Sequence, residues 1–140
     1  MTAARAILGV DPGRSKAGYA VLSPGGAVLA AGIEPIQALP GRVERVLADS
    51  SIAAIAIGRG TNGRAVRRLL EGFAVPIFWV DEFETSRAAR SLYFEDHPPV
   101  GWRRLIPTGL QVPPRPVDDY AAIVIARRFL ARGLATPPPS

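Results

Sequence analysis

Asp11 closes an apolar run, Ala6 to Val10, and is followed at once by Pro12-Gly13. A carboxylate therefore stands where a strand meets a tight turn. Glu82 follows a second apolar run, Pro76 to Val80, by way of Asp81. Asp118 and Asp119 open a third segment. In it Asp118, Ala122, Ile125 and Phe129 recur at offsets of four, seven and eleven, and so do Asp119, Ile123, Ala126 and Leu130. Both series are apolar after the acid, so the acids head the buried face of a helix, with Tyr120, Val124, Arg127, Arg128 and Arg132 on its other side. Carboxylates gathered at low dielectric repel unless protons or cations intervene. A pair of Mg²⁺ or Mn²⁺ ions would reconcile them, and oxygen-only ligands suit these hard cations. Such a pair activates water and stabilises the leaving oxygen in phosphodiester cleavage. Each acid also has a plainer reading. Asp11 can be a turn former, Glu82 a solvated acid before a helix, and Asp118 and Asp119 helix-terminal acids. Convergence of the four in space separates the two readings.

The elements that must position them follow from hydrophobic pattern and breakers. Ala6 to Val10, Tyr19 to Leu22 and Ala27 to Ile33 read as three strands joined by short turns, an antiparallel meander. A short helix is expected over about 41–49, from Val43, Val46 and Leu47. Ile52 to Ile57 suits a buried strand, and the glycine-rich loop Gly58 to Gly63 leads into helical spacing at Val66, Leu69, Leu70 and Phe73. Pro76 to Val80 is a further buried strand, with Trp79 read as core. Thr85 or Ser86 caps a helix to about Glu95. Residues 97–117 form a long proline-rich loop before the last helix, which runs to about Arg132. Strand–helix–strand crossovers after residue 50 imply parallel pairing. The expected fold is α/β, with a mixed five-stranded sheet, antiparallel in its first three strands and then parallel, and helices on both faces. One domain is expected over 1–134, with a disordered tail at 135–140.

The surface is basic. Lys plus Arg number 17 against 12 Asp plus Glu, and Lys16 is the sole lysine. Arginine binds phosphates bidentately and stacks on bases, so a polyanionic partner is expected. Candidate nucleic-acid contacts are Arg14 and Lys16 beside Asp11, Arg59 in the glycine-rich loop, and Trp102, Arg103, Arg104 and Arg115 in the long loop. Trp102, between a glycine and two arginines, suits stacking on an unpaired base. His97, beside two prolines, is read as incidental. There is no cysteine, which excludes disulfides and thiolate metal sites and fits a cytoplasmic protein. No apolar run is long enough for a membrane helix, and no signal peptide is evident.

From Ile7 to Val21 the sequence resembles the first motif of the RuvC-type Holliday junction resolvases: an apolar strand, Asp-Pro-Gly, then Gly18-Tyr19 and a second strand. Where those proteins carry a catalytic Glu on the next strand, this chain has Ala54-Ile55-Ala56-Ile57-Gly58. Its second acid comes one strand later, in Val80-Asp81-Glu82-Phe83-Glu84-Thr85-Ser86, which resembles the YqgF/RuvX family of pre-16S rRNA processing nucleases and Holliday junction resolvases. Val117-Asp118 followed by Ala121-Ala122 resembles the last motif of that family, and the likeness spans about residues 5 to 132. It implies an RNase H-like fold and a metal-dependent nuclease site. It also implies catalytic and metal-binding roles for Asp11, Glu82 and Asp118, with Asp119 an extra metal neighbour, and RNA or branched DNA as substrate, acted on by a monomer or homodimer. Two positions depart from the family pattern: Phe83 replaces an Arg, and Gly58 to Gly63 replaces Gly-Leu-Pro.

Two other readings remain open at this stage. A catalytically silent RNase H-like nucleic-acid binder would bind without metal and cleave nothing. The Asp11-Pro12-Gly13 to Gly18 pattern also resembles the first phosphate loop of actin-like ATPases, which need two such halves around a nucleotide.

Overall fold

The computed structural model describes residues 5–60, 62–81, 85–99, 101, 105, 107, 113 and 116–132. Among them five strands form one sheet: β1 (Ala6–Pro12), β2 (Lys16–Leu22), β3 (Val28–Pro35), β4 (Ile52–Gly58) and β5 (Ile77–Val80). The spatial order is β3-β2-β1-β4-β5. β1 pairs antiparallel with β2, and β2 with β3, whereas β4 lies parallel to β1, and β5 to β4. This is the mixed sheet expected from the sequence. The helices are α1 (Leu39–Asp49), α2 (Gly63–Leu70), α3 (Thr85–Asp96) and α4 (Asp118–Ala131). The first helix starts earlier than its apolar spacing suggested, because a 3-10 turn at Ile36–Ala38 leads into it and Pro40 suits a helix start.

Side-chain size sorts the helices onto the two faces. Strand residues alternate between faces with period two. Leu8, Val10, Tyr19, Val21, Ile55 and Ile57 point one way and bury Val43 and Val46 of α1 and Val66 and Leu70 of α2. The opposite face carries Ala20, Ala54 and Ala56 at its centre, with Gly9 and Gly18 among them and Ile7, Leu22, Phe78 and Val80 around them, and is covered by α3 and α4. Its small residues let α4 approach closely. A Cβ on Gly9 would lie 2.5 Å from the Ala122 carbonyl oxygen and 2.8 Å from the Ala126 Cβ.

α4 crosses this face obliquely. Its first turn lies on β2, its middle on β1, and its end reaches β5, where the Phe129 and Phe78 rings sit 5.1 Å apart. Full burial of side chains such as Ile7, Ile125 and Phe129 contributes about 1.5–3 kcal/mol each. Tyr120 departs from the expected polar face of α4. It is buried, its ring meets Tyr93 edge-on, and its hydroxyl donates to Asp96 Oδ2 at 2.8 Å. Helical spacing marks the centre of a buried face but not its width, and α3 widens it here. No described helix is long and apolar enough to cross a membrane.

Candidate active site

Asp11 is the penultimate residue of β1, half-buried, and directly opposite Gly18 on β2. Two residues beyond Gly9, it shares the face that α4 covers. Gly18 is the point where α4 lands. A Cβ there would collide with the Asp118 carbonyl and would lie 2.8 Å from the Asp119 amide nitrogen. A bare Cα at 18 therefore seats the first turn of α4 beside Asp11. The chain separation is 107 positions, and one strand spacing bridges it.

Asp118 and Asp119 are both half-buried. Neither acid caps the helix with its side chain, although both stand in its first turn, where the helix dipole favours acids. The cap position is Val117, which makes no side-chain cap bond. Burial raises the Asp118 carboxyl above the ordinary carboxylate range. The positive charge of Lys16 opposes that shift, and the charge of Asp119 adds to it. The site thus carries a desolvated carboxyl whose ionisation an added cation would favour. Its donors are carboxylate oxygens, which suits Mg²⁺ or Mn²⁺. Asp11 and Asp118, with Asp119 adjoining, are the described acids at this strand end that could hold such an ion. Among the described residues no group of three or more His, Asp or Glu is close enough to hold a metal.

Glu82 lies outside the described residues. The residues around it are well tied. In the sheet Val10 pairs with Ile57 and Ile57 with Trp79, so β1, β4 and β5 end along one edge. Asp81 follows β5 there, and Thr85 begins α3. Arg128 of α4 donates to the Asp81 carbonyl at 3.0 Å and to Thr85 Oγ1 at 2.9 Å. Arg132 donates to the Trp79 carbonyl at 3.0 Å. The sequence places both arginines on the side of α4 opposite its buried series, which agrees with the exposure of Arg132. A polar residue amid an apolar helical pattern carries no mark of its partner, so these two were missed.

The basic candidates divide. Arg14 and Lys16 are exposed in the turn after Asp11 and at the start of β2, and Lys16 acts electrostatically on Asp118. The Asn62 amide donates to the Gly13 carbonyl at 2.9 Å, which joins the glycine-rich loop to the same turn. Arg59 is exposed beyond β4, on the face opposite the acids. Trp102, Arg103, Arg104, Arg115 and the 135–140 tail lie outside the described residues. His97 is exposed, stacked on Tyr93 at 4.4 Å, and far from the acids in its bonding, since its Nδ1 lies 3.2 Å from the Tyr93 carbonyl oxygen.

No protein-family model matches the chain, and no curated protein sequence matches it. Solved structures do. RuvC of Thermus thermophilus is 20% identical with a TM-score of 0.56, over 95% of this chain and 99% of that one. T. thermophilus RuvC in complex with a Holliday junction substrate is 19% identical with a TM-score of 0.55, over 96% and 99%. The fold is therefore RuvC-like and of the RNase H-like class, with its five mixed strands and helices on both faces.

Proposed function

We propose that this protein is a divalent-metal-dependent nuclease of the YqgF/RuvX type, hydrolysing phosphodiester bonds in nucleic acid. The observation that carries the reading is the seating of Asp118 on Gly18, across the β1–β2 pair from Asp11. The backbone segments that carry two acids from remote parts of the chain are neighbours at the end of a strand, and burial opposes the ionisation of one of those acids. Asp11, Asp118 and Glu82 would hold Mg²⁺ or Mn²⁺, with Asp119 as a further ligand or supporting acid. Bound there, the cations would supply an activated water and charge stabilisation at the leaving oxygen.

The rest falls to the chain. β1 and β2 hold Asp11 on a rigid pair of strands, and the close approach at Gly18 fixes the first turn of α4 against them. Lys16 favours the ionised form of Asp118. Arg14 and Lys16 stand exposed beside the acids, suited to the phosphates that flank a scissile bond. Trp102, Arg103, Arg104 and Arg115 would grip the strand from the long loop. The substrates this reading allows are the 5′ end of precursor 16S rRNA and branched DNA such as a Holliday junction, the ligand of the RuvC complex that shares the fold. A cytoplasmic monomer or homodimer fits it.

The test is a cleavage assay on structured RNA, single-stranded RNA and DNA, and a four-way junction, each with Mg²⁺, Mn²⁺ or EDTA. Wild type should cut at least one of them with metal. Asp11→Asn should cut at least a hundredfold more slowly with affinity kept. Equal rates for the two proteins would refute the assignment. A second reading, the catalytically silent binder, is favoured by one observation: β4 ends on Gly58, without an acid. It predicts metal-independent binding and no cleavage by either protein.

A further inference from the structure

Trp79 and two arginines make a second polar site at the same sheet edge, on the opposite face from the acids. Trp79 is half-buried near the end of β5 and packs beside the core of the α1–α2 face. The Arg59 guanidinium carbon lies 5.8 Å from the centre of its ring, and that of Arg67 lies 5.4 Å from it. Beside the ring is a cavity of about 200 Å³ lined by Arg59, Gly60, Gly63, Arg64 and Trp79. Glycine at 63 keeps it open, since a Cβ there would lie 3.0 Å from the Trp79 ring and 3.2 Å from the Gly58 carbonyl oxygen. The Arg59 amide donates to the Val80 carbonyl at 3.1 Å, which anchors the loop to the end of β5. The first turn of α2 has no acid, and Glu71, which pairs with Arg67 at 3.5 Å, points from the last turn.

This arrangement suits an anion better than a base. A guanidinium held over an aromatic face occupies the surface a base would stack on. Its N–H donors lie around its edge, where they match phosphate oxygens in pairs. Arg64, exposed at the mouth, adds a third positive group. We infer that the cavity framed by Arg59, Arg64 and Trp79 binds a phosphate of a nucleic-acid strand, a few nucleotides from the bond held at Asp11 and Asp118. For its ligand class this rests on the nuclease reading. β5 stands two strand spacings from β1, or about 10 Å along the sheet edge, and the two sites lie on opposite faces of it, so a nucleic-acid strand joining them passes over the ends of β1, β4 and β5. A strand crossing the edge at Gly58 would reach both sites. The phosphate is either an internal diester or a terminal monoester.

The test uses Trp79 as its own reporter. Affinity and salt slope are measured by the anisotropy of a labelled strand with Trp102 in place, and Trp102→Phe, which leaves Trp79 as the sole tryptophan, serves for the emission alone. The probes are a ten-nucleotide single-stranded DNA with a 5′-hydroxyl, the same strand with a 5′-phosphate, and inorganic phosphate, all in EDTA so that nothing is cut. Both strands should change the Trp79 emission. Arg59→Ala with Arg64→Ala should weaken binding at least tenfold. It should also lower the slope of log K against log salt by about 1.4, the single-strand value for two lost contacts. Tighter binding of the 5′-phosphorylated strand, abolished in the double variant, identifies a terminal phosphate; equal binding that is lost in the double variant identifies an internal one. Unchanged affinity and slope in the double variant overturn the inference, as does wild type that binds neither strand. The nuclease reading fails separately. A wild type that cuts nothing but binds through Arg59 and Arg64 leaves the phosphate site standing, and one that cuts while binding ignores these arginines removes only the phosphate site.

Discussion

Arg128, in the last turn of α4, donates a hydrogen bond of 2.9 Å to the hydroxyl of Thr85, the first residue of α3. The same nitrogen donates to the Asp81 carbonyl at 3.0 Å. One side chain thus holds the residues on either side of positions 82–84. The helix that brings Asp118 to Asp11 at its start also ties down the approach to Glu82 near its end.

Arg128→Ala should lower stability by about 1–3 kcal/mol, the usual cost of losing hydrogen bonds to a charged donor. Cleavage should fall at least tenfold with metal present, because the segment carrying Glu82 loses its tie to α4. Thr85→Val, which keeps the shape but not the hydroxyl, should give a smaller effect in the same direction. Thermal melts read beside cleavage rates check both. A melt shift with full activity in Arg128→Ala would leave this arginine a purely structural tie.

Gly18→Ala should be poorly tolerated. The added methyl would meet the Asp118 carbonyl, and backbone on both sides must shift. Overpacking of this sort costs about 1–3 kcal/mol, and cleavage should fall further than the melt alone explains, since α4 is lifted at its acids. Gly72→Ala is the control: a Cβ there meets nothing within 4 Å. Its melting temperature should stay within about a degree of wild type, as surface changes are mostly small.

Asp118 should make the protein less stable as the carboxyl ionises. Burial raises its native pKa above the unfolded value of about 3.9. The native state therefore holds this proton more tightly. Its stabilising contribution is full below the unfolded value and is lost as pH rises through the raised native value. Asp118→Asn should melt above wild type at pH 7, with the gap closing near pH 3. Mg²⁺ should raise the wild-type melting temperature more than that of the variant, by preferential binding to the folded state. A wild type that outlasts Asp118→Asn at pH 7 without metal would contradict this.

Tyr120→Phe removes the hydrogen bond to Asp96 and leaves the ring packing on Tyr93 intact. Because Asp96 is exposed, its carboxylate returns to water and little is left unsatisfied. The expected loss is about 0.5–1.5 kcal/mol. Amide exchange should quicken at Ala121 to Ile123, next to the acids, before it quickens at Phe129.

The sequence by itself determined the strands, the mixed sheet and the acids worth following. Apolar runs such as Ala6 to Val10 and Ile52 to Ile57 are written locally, and so is the break at Asp11-Pro12-Gly13. Local pattern also placed Asp118 and Asp119 at the start of a helix. What it did not carry was which helix lies on the small face. That depends on Gly18 and Gly9 meeting α4 100 positions or more later, and a contact of that kind leaves no periodicity in either partner. The same reason hid Arg128 behind its apolar neighbours and left Tyr120 on the wrong side of its helix. Trp79 reads as core because β5 is apolar throughout. Only the register of β4 against β5, with Arg59 and Arg67 brought over the ring, turns it toward a cavity. Burial of the Asp118 carboxyl is likewise a tertiary property, since desolvation belongs to the packed surroundings and not to the residue.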